Sequence, residues 1–184
     1  MTGVPAPARS APRPRCFVAL LPGAAARGRL AALTRELAAQ RPGCRVVHPD
    51  DLHLTLAFLG AIDACHAAPL AARFARMPAS RRRWAIDRVG CFPGARVAWA
   101  GGAPHAALEE LARSVRALLD EMRLPYDRQA FAPHVTLLRH SGSFAARVLA
   151  EPIAWTLGRP QLMVSHGGAA SGPRYRIWRA DPAA

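Results

Sequence analysis

The segments His53-Leu54-Thr55-Leu56 and His134-Val135-Thr136-Leu137 repeat one pattern, His-apolar-Thr-Leu, about 81 residues apart. In a strand, side chains alternate between faces, so His and Thr two residues apart share one face. Each copy therefore presents an imidazole and a hydroxyl to one surface while its apolar residues fill the core. Two such strands facing each other line a cleft with two imidazoles and two hydroxyls.

Two histidines across a cleft divide acid and base work. The neutral one takes a proton from a nucleophile, and the protonated one gives a proton to a leaving group. Histidine suits both roles because its unperturbed pKa lies near neutrality. A Thr hydroxyl hydrogen-bonds a non-bridging phosphate oxygen. Arg139, five residues after His134, supplies a guanidinium for the charge that builds on a pentavalent phosphorus. Base, acid and charge stabilisation all come from side chains, so the set requires no metal. It fits hydrolysis of a cyclic phosphodiester.

The elements that hold these segments follow from periodicity. Arg15 to Leu21 reads as a buried strand ended by Pro22-Gly23. Leu30, Leu33 and Leu37 recur at helical spacing between Ala24 and Gln40, and Arg41-Pro42-Gly43 stops that helix. Arg45 to His48 is a short strand before the first motif. A second helix spans Ala64 to Met77, with Asp63 placed to cap it. Trp84–Gly90 and Arg96–Ala100 flank the turn Phe92-Pro93-Gly94 as a hairpin. His105 to Arg123 carries an apolar stripe of Leu108, Leu111, Val115, Leu118, Leu119 and Met122. After the second motif, Ser141 to Ala150 reads as a loop. Strands follow near Ile153–Leu157 and Gln161–Ser165, then a glycine-rich turn from Gly167, then a last strand at Tyr175–Trp178. Short strands joined by tight turns indicate antiparallel pairing in an α+β fold, not a doubly wound parallel sheet. No glycine-rich phosphate loop joins a strand to a helix.

The length, 184 residues, suits one domain or two intimately packed lobes. The formal charge is +13, and all 25 basic residues are Arg. A field of that sign attracts polyanions, nucleic acid among them. Cys16, Cys44, Cys65 and Cys91 are scattered without a C-x-x-C pair, which argues against a zinc knuckle and reads as reduced cytoplasmic thiols. No apolar run reaches membrane-spanning length. Met1 to Pro14, rich in Pro, Ala and Arg, reads as a disordered leader, leaving residues 15–184 as a single domain.

Several stretches carry a family resemblance: R-C-F-V-A-L-L-P at the start, P-D-D-L-H-L-T-L-A-F-L-G, the strand R-V-A-W, F-A-P-H-V-T-L-L-R and the closing G-P-R-Y. The sequence resembles the two-histidine phosphoesterase superfamily, in particular its RNA 2′,3′-cyclic phosphodiesterase branch, also called 2′-5′ RNA ligase, from about Arg15 to Trp178. The resemblance implies two pseudo-symmetric lobes of antiparallel sheet with outer helices around a central groove, one motif per lobe. It implies opening of an RNA or nucleotide 2′,3′-cyclic phosphate to a 2′-phosphomonoester, with weak 2′-5′ ligation as a side activity. In that scheme His134 is the base that activates water and His53 the acid that protonates the 3′ oxygen. Thr55, Thr136 and Arg139 hold the phosphate, and Phe17 stacks against the base. No cofactor or metal is implied, and the expected species is a monomer.

Two other readings use the same residues. One is an RNA-end-binding module that keeps the groove without turnover; both His-x-Thr pairs and Arg139 being present argues against it. The other makes the histidines metal ligands, but neither motif holds a carboxylate to complete a site. His48, His66, His105, His140 and His166 have no patterned partners and read as structural or solvated, as does the run Arg81–Arg83.

Overall fold

Leu54 and Val135, the apolar residues that follow the two motif histidines, lie directly opposite each other at the centre of the sheet. A computed structural model describes residues 15–166 and 172–180. The chain runs β1 (Arg15–Leu20), α1 (Ala24–Ala39), β2 (Arg45–Val46), a short 3-10 turn (Pro49–Asp51), β3 (Leu54–Ala61), α2 (Ala64–Arg76), β4 (Arg83–Phe92) and β5 (Val97–Gly101). It continues through α3 (Ala106–Glu121), β6 (His134–Arg139), β7 (Arg147–Thr156), β8 (Gln161–Ser165) and β9 (Tyr175–Ile177). Among the described residues nine strands form one sheet, ordered β7-β4-β5-β6-β3-β1-β8-β9, with β2 paired to β6. Every pairing is antiparallel.

The expected two lobes are the halves of this sheet. From the β3–β6 seam outward, one half is β3-β1-β8-β9 and the other β6-β5-β4-β7. Each contains the same run, a strand, a helix and a motif strand beside the first: β1-α1-β3 and β5-α3-β6. The seam itself is thin, since Leu54↔Val135 is the pairing recorded across it. The helices make up for that by crossing it. α1, which follows β1, packs on β6 and β7, while α3, which follows β5, packs on β3. Leu30, Leu33 and Leu37 of α1 and Leu108, Ala112, Val115 and Leu119 of α3 are buried. Their three- and four-residue spacing gives each helix one apolar face. α2 buries Ala67, Leu70 and Phe74 and packs on β8.

Two elements differ from the sequence expectation. The stretch read as a loop after the second motif becomes β7 from Arg147 onward, ten residues along the edge of the sheet beside β4. From Arg147 to Pro152 only Leu149 is buried, and Pro152, which lacks an N–H, is tolerated at such an edge. Both facts hide the strand's alternation. The strand expected at Arg45–His48 shortens to Arg45–Val46, because His48 caps the following turn by accepting the Asp50 N–H on Nδ1 at 3.2 Å. The leader Met1–Pro14 and the start of the glycine-rich turn, 167–171, lie outside the described residues. Among the described residues no helix is long and apolar enough to cross a membrane, and no disulfide links the cysteines.

Leu54 is fully buried at the seam. Leu54→Ala is expected to cost about 2–5 kcal/mol of stability, the range for emptying a buried leucine site. Urea unfolding measures it; a loss below about 1 kcal/mol would show that the seam collapses around the smaller side chain.

Candidate active site

Each motif strand carries a β-bulge at its motif leucine. Thr55 pairs with Ala19 and Ala57 with Val18, which leaves Leu56 as an extra residue. In the other half Thr136 pairs with Trp99 and Leu138 with Ala98, leaving Leu137 extra. In both strands two consecutive side chains then enter the core: Leu56 with Ala57, and Leu137 with Leu138. This reverses the parity of the strand. Strict alternation would turn Arg139 away from the face that carries His134. The bulge returns it to the groove, and it does the same for Phe58, the matching residue after His53.

The histidines are held in one tautomer. His53 Nδ1 lies 2.5 Å from the carbonyl oxygen of Asp51, and His134 Nδ1 lies 2.7 Å from that of Ala132. A carbonyl only accepts, so each Nδ1 carries hydrogen and donates it. Each Nε2 is thereby left for chemistry in the groove both side chains line. Aromatic rings fix the imidazole planes. Phe17 lies 4.8 Å from the His53 ring, and Tyr175 meets it edge-on at 5.3 Å. Phe92 meets His134 edge-on at 5.1 Å and stacks on Trp99 at 5.5 Å. The Trp99 indole lies over Gly90, where a Cβ would come within 2.5 Å of the ring. Glycine at 90 therefore makes room for the indole that backs Phe92.

The groove has a volume of about 730 Å³ and is lined by His53, Thr55, His134, Thr136 and Arg139. That volume lies within the usual range of small-molecule sites. Arg15, Arg45 and Arg174 also line it, against one lining carboxylate, Asp127. Arg45 of β2 lies directly across from Arg139 of β6. Like charges directly opposite repel. No carboxylate among the described residues pairs with either guanidinium. An anion between them would relieve that repulsion. Burial lowers the His53 pKa to about 4, with Arg139 and His134 adding to the effect and Asp51 opposing it. Burial also lowers His134, again with Arg139 adding and the Ala132 carbonyl opposing. Both imidazoles are thus neutral in the unliganded groove near pH 7. A bound anion reverses the balance by favouring the imidazolium.

A family model for LigT-like phosphoesterases matches residues 21–99. The chain is 32% identical over 120 residues to a protein of Aeropyrum pernix named RNA 2′,3′-cyclic phosphodiesterase, covering 63% of this chain and 68% of that one. A protein of the same name from Archaeoglobus fulgidus is 30% identical over 128 residues, covering 68% and 72%. The chain belongs to the LigT-like phosphoesterase family. It spans about half the length of another relative, from Geobacillus stearothermophilus, which it matches at 32% identity over 146 residues, 74% of this chain and 46% of that protein. Among solved structures, Escherichia coli LigT complexed with 3′-AMP superposes with a TM-score of 0.78 at 26% identity, covering 91% of this chain and 97% of that one. The Thermus thermophilus protein TT0787 superposes with a TM-score of 0.65 at 29% identity, covering 90% and 95%.

Of the residues singled out in the sequence, this LigT-like fold brings His53, Thr55, His134, Thr136, Arg139 and Phe17 into one groove. Phe17 is only 4% exposed, covered by His53, Phe58 and Tyr175, so it forms the floor. The open aromatic face belongs to Phe58, 53% exposed. Sequence reasoning missed Arg45, Arg174, Tyr175 and the buried Asp51. Arg45 precedes the first motif by eight residues and reaches the groove only through pairing with the second motif's strand. Tyr175 and Arg174 sit in the closing G-P-R-Y, a signal without a stated role until β9, paired with β8, brings the Tyr175 ring to Phe17 and His53. Among the described residues no three His, Cys, Asp or Glu side chains converge as metal ligands.

The depressed His53 pKa has a stability consequence. Its folded value, about 4, lies below the ordinary 6.5, so the unfolded chain binds a proton that the folded one refuses. The stability is present above the ordinary value and is lost as pH falls from about 6.5 toward 4. The melting temperature of the unliganded protein is expected to fall between pH 7 and pH 5, and to fall less in His53→Asn. Equal drops in the two proteins would show that the buried imidazole is not the source.

Proposed function

We propose that the protein hydrolyses 2′,3′-cyclic phosphate ends of RNA, or related cyclic nucleotides, to 2′-phosphomonoesters without a metal ion. The observation that carries this reading is the matched pair of imidazoles. Each is tied through Nδ1 to a main-chain carbonyl and leaves Nε2 to one basic groove. Relatives named RNA 2′,3′-cyclic phosphodiesterase support the substrate class.

Water attacks the phosphorus while His134 Nε2 takes its proton. The bond from phosphorus to O3′ breaks on the opposite side, and His53 Nε2–H protonates O3′. The product carries phosphate on O2′ and a free 3′-hydroxyl. His134 then holds the proton and His53 is neutral, and exchange with solvent restores both. Thr55, Thr136 and Arg139 bind the non-bridging oxygens, where charge rises in the transition state. Arg45, opposite Arg139, adds a second guanidinium at the same edge. Two features support His53 as the acid. Asp51 favours its imidazolium, whereas no carboxylate acts on His134. Its half of the groove also presents Phe58 where the other half presents Arg139, an apolar surface suited to the ribose and base that hold the leaving oxygen. A 5′-hydroxyl in place of water would join two ends by a 2′-5′ bond, a slower side reaction of the same groove.

The test is hydrolysis of a nucleoside 2′,3′-cyclic phosphate in excess EDTA, with the product's phosphate position assigned. A 2′-phosphate and a bell-shaped pH profile are expected. A 3′-phosphate would overturn the orientation, and loss of activity in EDTA the metal-free chemistry. His53→Ala and His134→Ala are each expected to lower kcat about 10²–10⁴-fold, the usual contribution of a positioned acid or base. Arg139→Ala is expected to lower kcat about 10²-fold or more, as for loss of one charge-stabilising donor. Tight binding of the cyclic end with no turnover in the wild type would make the groove a binding module.

A further inference from the structure

Asp51 is a buried carboxylate that this chemistry leaves unused. It is 4% exposed and sits two residues before His53, in the turn that precedes β3. Its oxygens accept the Arg174 N–H at 2.9 and 3.0 Å and the Tyr175 N–H at 3.0 Å. Those partners stand at the entry to β9, at the far end of the chain. The same residue's main-chain carbonyl accepts the His53 Nδ1–H. Asp51 therefore grips the imidazole through its backbone and the last strand through its side chain. The grip sets where Tyr175 lies, edge-on to His53 and at 5.0 Å from Phe17.

The charge on Asp51 is also not cancelled by an ion pair among the described residues. Neutral N–H donors satisfy its oxygens but leave its field acting on neighbours. His53 shares its groove with His134 and Arg139 of β6, Arg45 of β2, Arg15 of β1, and Arg174 and Tyr175 at β9 and its entry, and of these Arg139 and His134 act on its charge. Asp127 lines the same groove, yet the carboxylate that bears on His53 is Asp51.

We propose that Asp51 is a positioning residue for His53: it clamps the Tyr175 ring against the imidazole and supplies the negative charge that lets His53 carry the proton for the leaving oxygen. This rests on His53 being the acid. Asparagine at 51 keeps the shape, removes the charge and offers one acceptor where the carboxylate offers two. Without the negative charge the His53 imidazolium is less favoured, so its proton is lost at lower pH.

The experiment pairs the cyclic-nucleotide assay of Asp51→Asn with an NMR titration of both imidazoles in inorganic phosphate. In the variant kcat is expected to fall about tenfold at pH 8, with the alkaline limb of its pH profile at lower pH and KM changed less. The His53 titration should move down while that of His134 stays. An unshifted limb together with an unshifted His53 titration overturns the proposal even if the rate drops, because lost packing alone lowers activity alike at every pH. If the wild type opens no cyclic phosphate, the reading of the groove falls, and the His53 titration still decides the role of Asp51. Should the variant not fold, hydrogen exchange of the Arg174 and Tyr175 amides in the wild type decides it. Slow exchange at neutral pH supports the clamp, and exchange at the rate of an open loop overturns it.

Discussion

The groove depends on a pairing fault made twice. In each motif strand the leucine after the threonine finds no partner across the ladder, and the strand turns over at that point. Before the fault, histidine and threonine face the groove. After it, the fifth residue from the histidine faces the groove as well. A regular strand of this length would offer a row at every second residue and would send Arg139 into the wrong layer. The extra leucines cost little, because both are buried and keep their apolar contacts. They convert two flat strand ends into three-point surfaces that line one groove.

The two surfaces are alike in backbone and unlike in chemistry. One ends in Phe58 and the other in Arg139. One imidazole rests between Phe17 and Tyr175 beside a buried carboxylate, the other against Phe92, itself stacked on Trp99, without one. A symmetric groove would bind a substrate in either sense and could not assign an acid and a base to fixed sides. Under the proposed function the apolar end takes the nucleoside and the basic end its phosphate, which gives the substrate one productive direction. The opposed pair Arg45 and Arg139 sharpens this, since the empty site holds repulsion that an anion removes.

Much of this was legible in the sequence because it obeys local rules. Period-two spacing puts His53 with Thr55 and His134 with Thr136, and three- and four-residue spacing of leucines marks α1 and α3. What escaped reading depends on who pairs with whom. The bulges are invisible in the tetrapeptides, because an unpaired leucine looks like any strand leucine. Arg45 joins the groove through an antiparallel neighbour from the other half of the chain. Asp51 looks like a turn residue, and its partners lie 123 and 124 positions away. The first half of β7 was missed because Arg147–Pro152 carries a proline and buries only Leu149, so it lacks the alternation that marks Ile153–Thr156.

The strand order also bears on how such a chain comes to be folded. The half-sheet around His53 is completed by β8 and β9, the last strands made, and α1, made early, rests on β6 and β7. Neither half can close over its own core from a contiguous stretch of polypeptide. A growing chain on the ribosome therefore carries the first motif on an unfinished sheet with open edges until β8 and β9 have emerged. Contacts of such long sequence separation form slowly. Exposed strand edges in that interval invite pairing with other chains. Both halves of the groove, and with them both histidines, become native together and late.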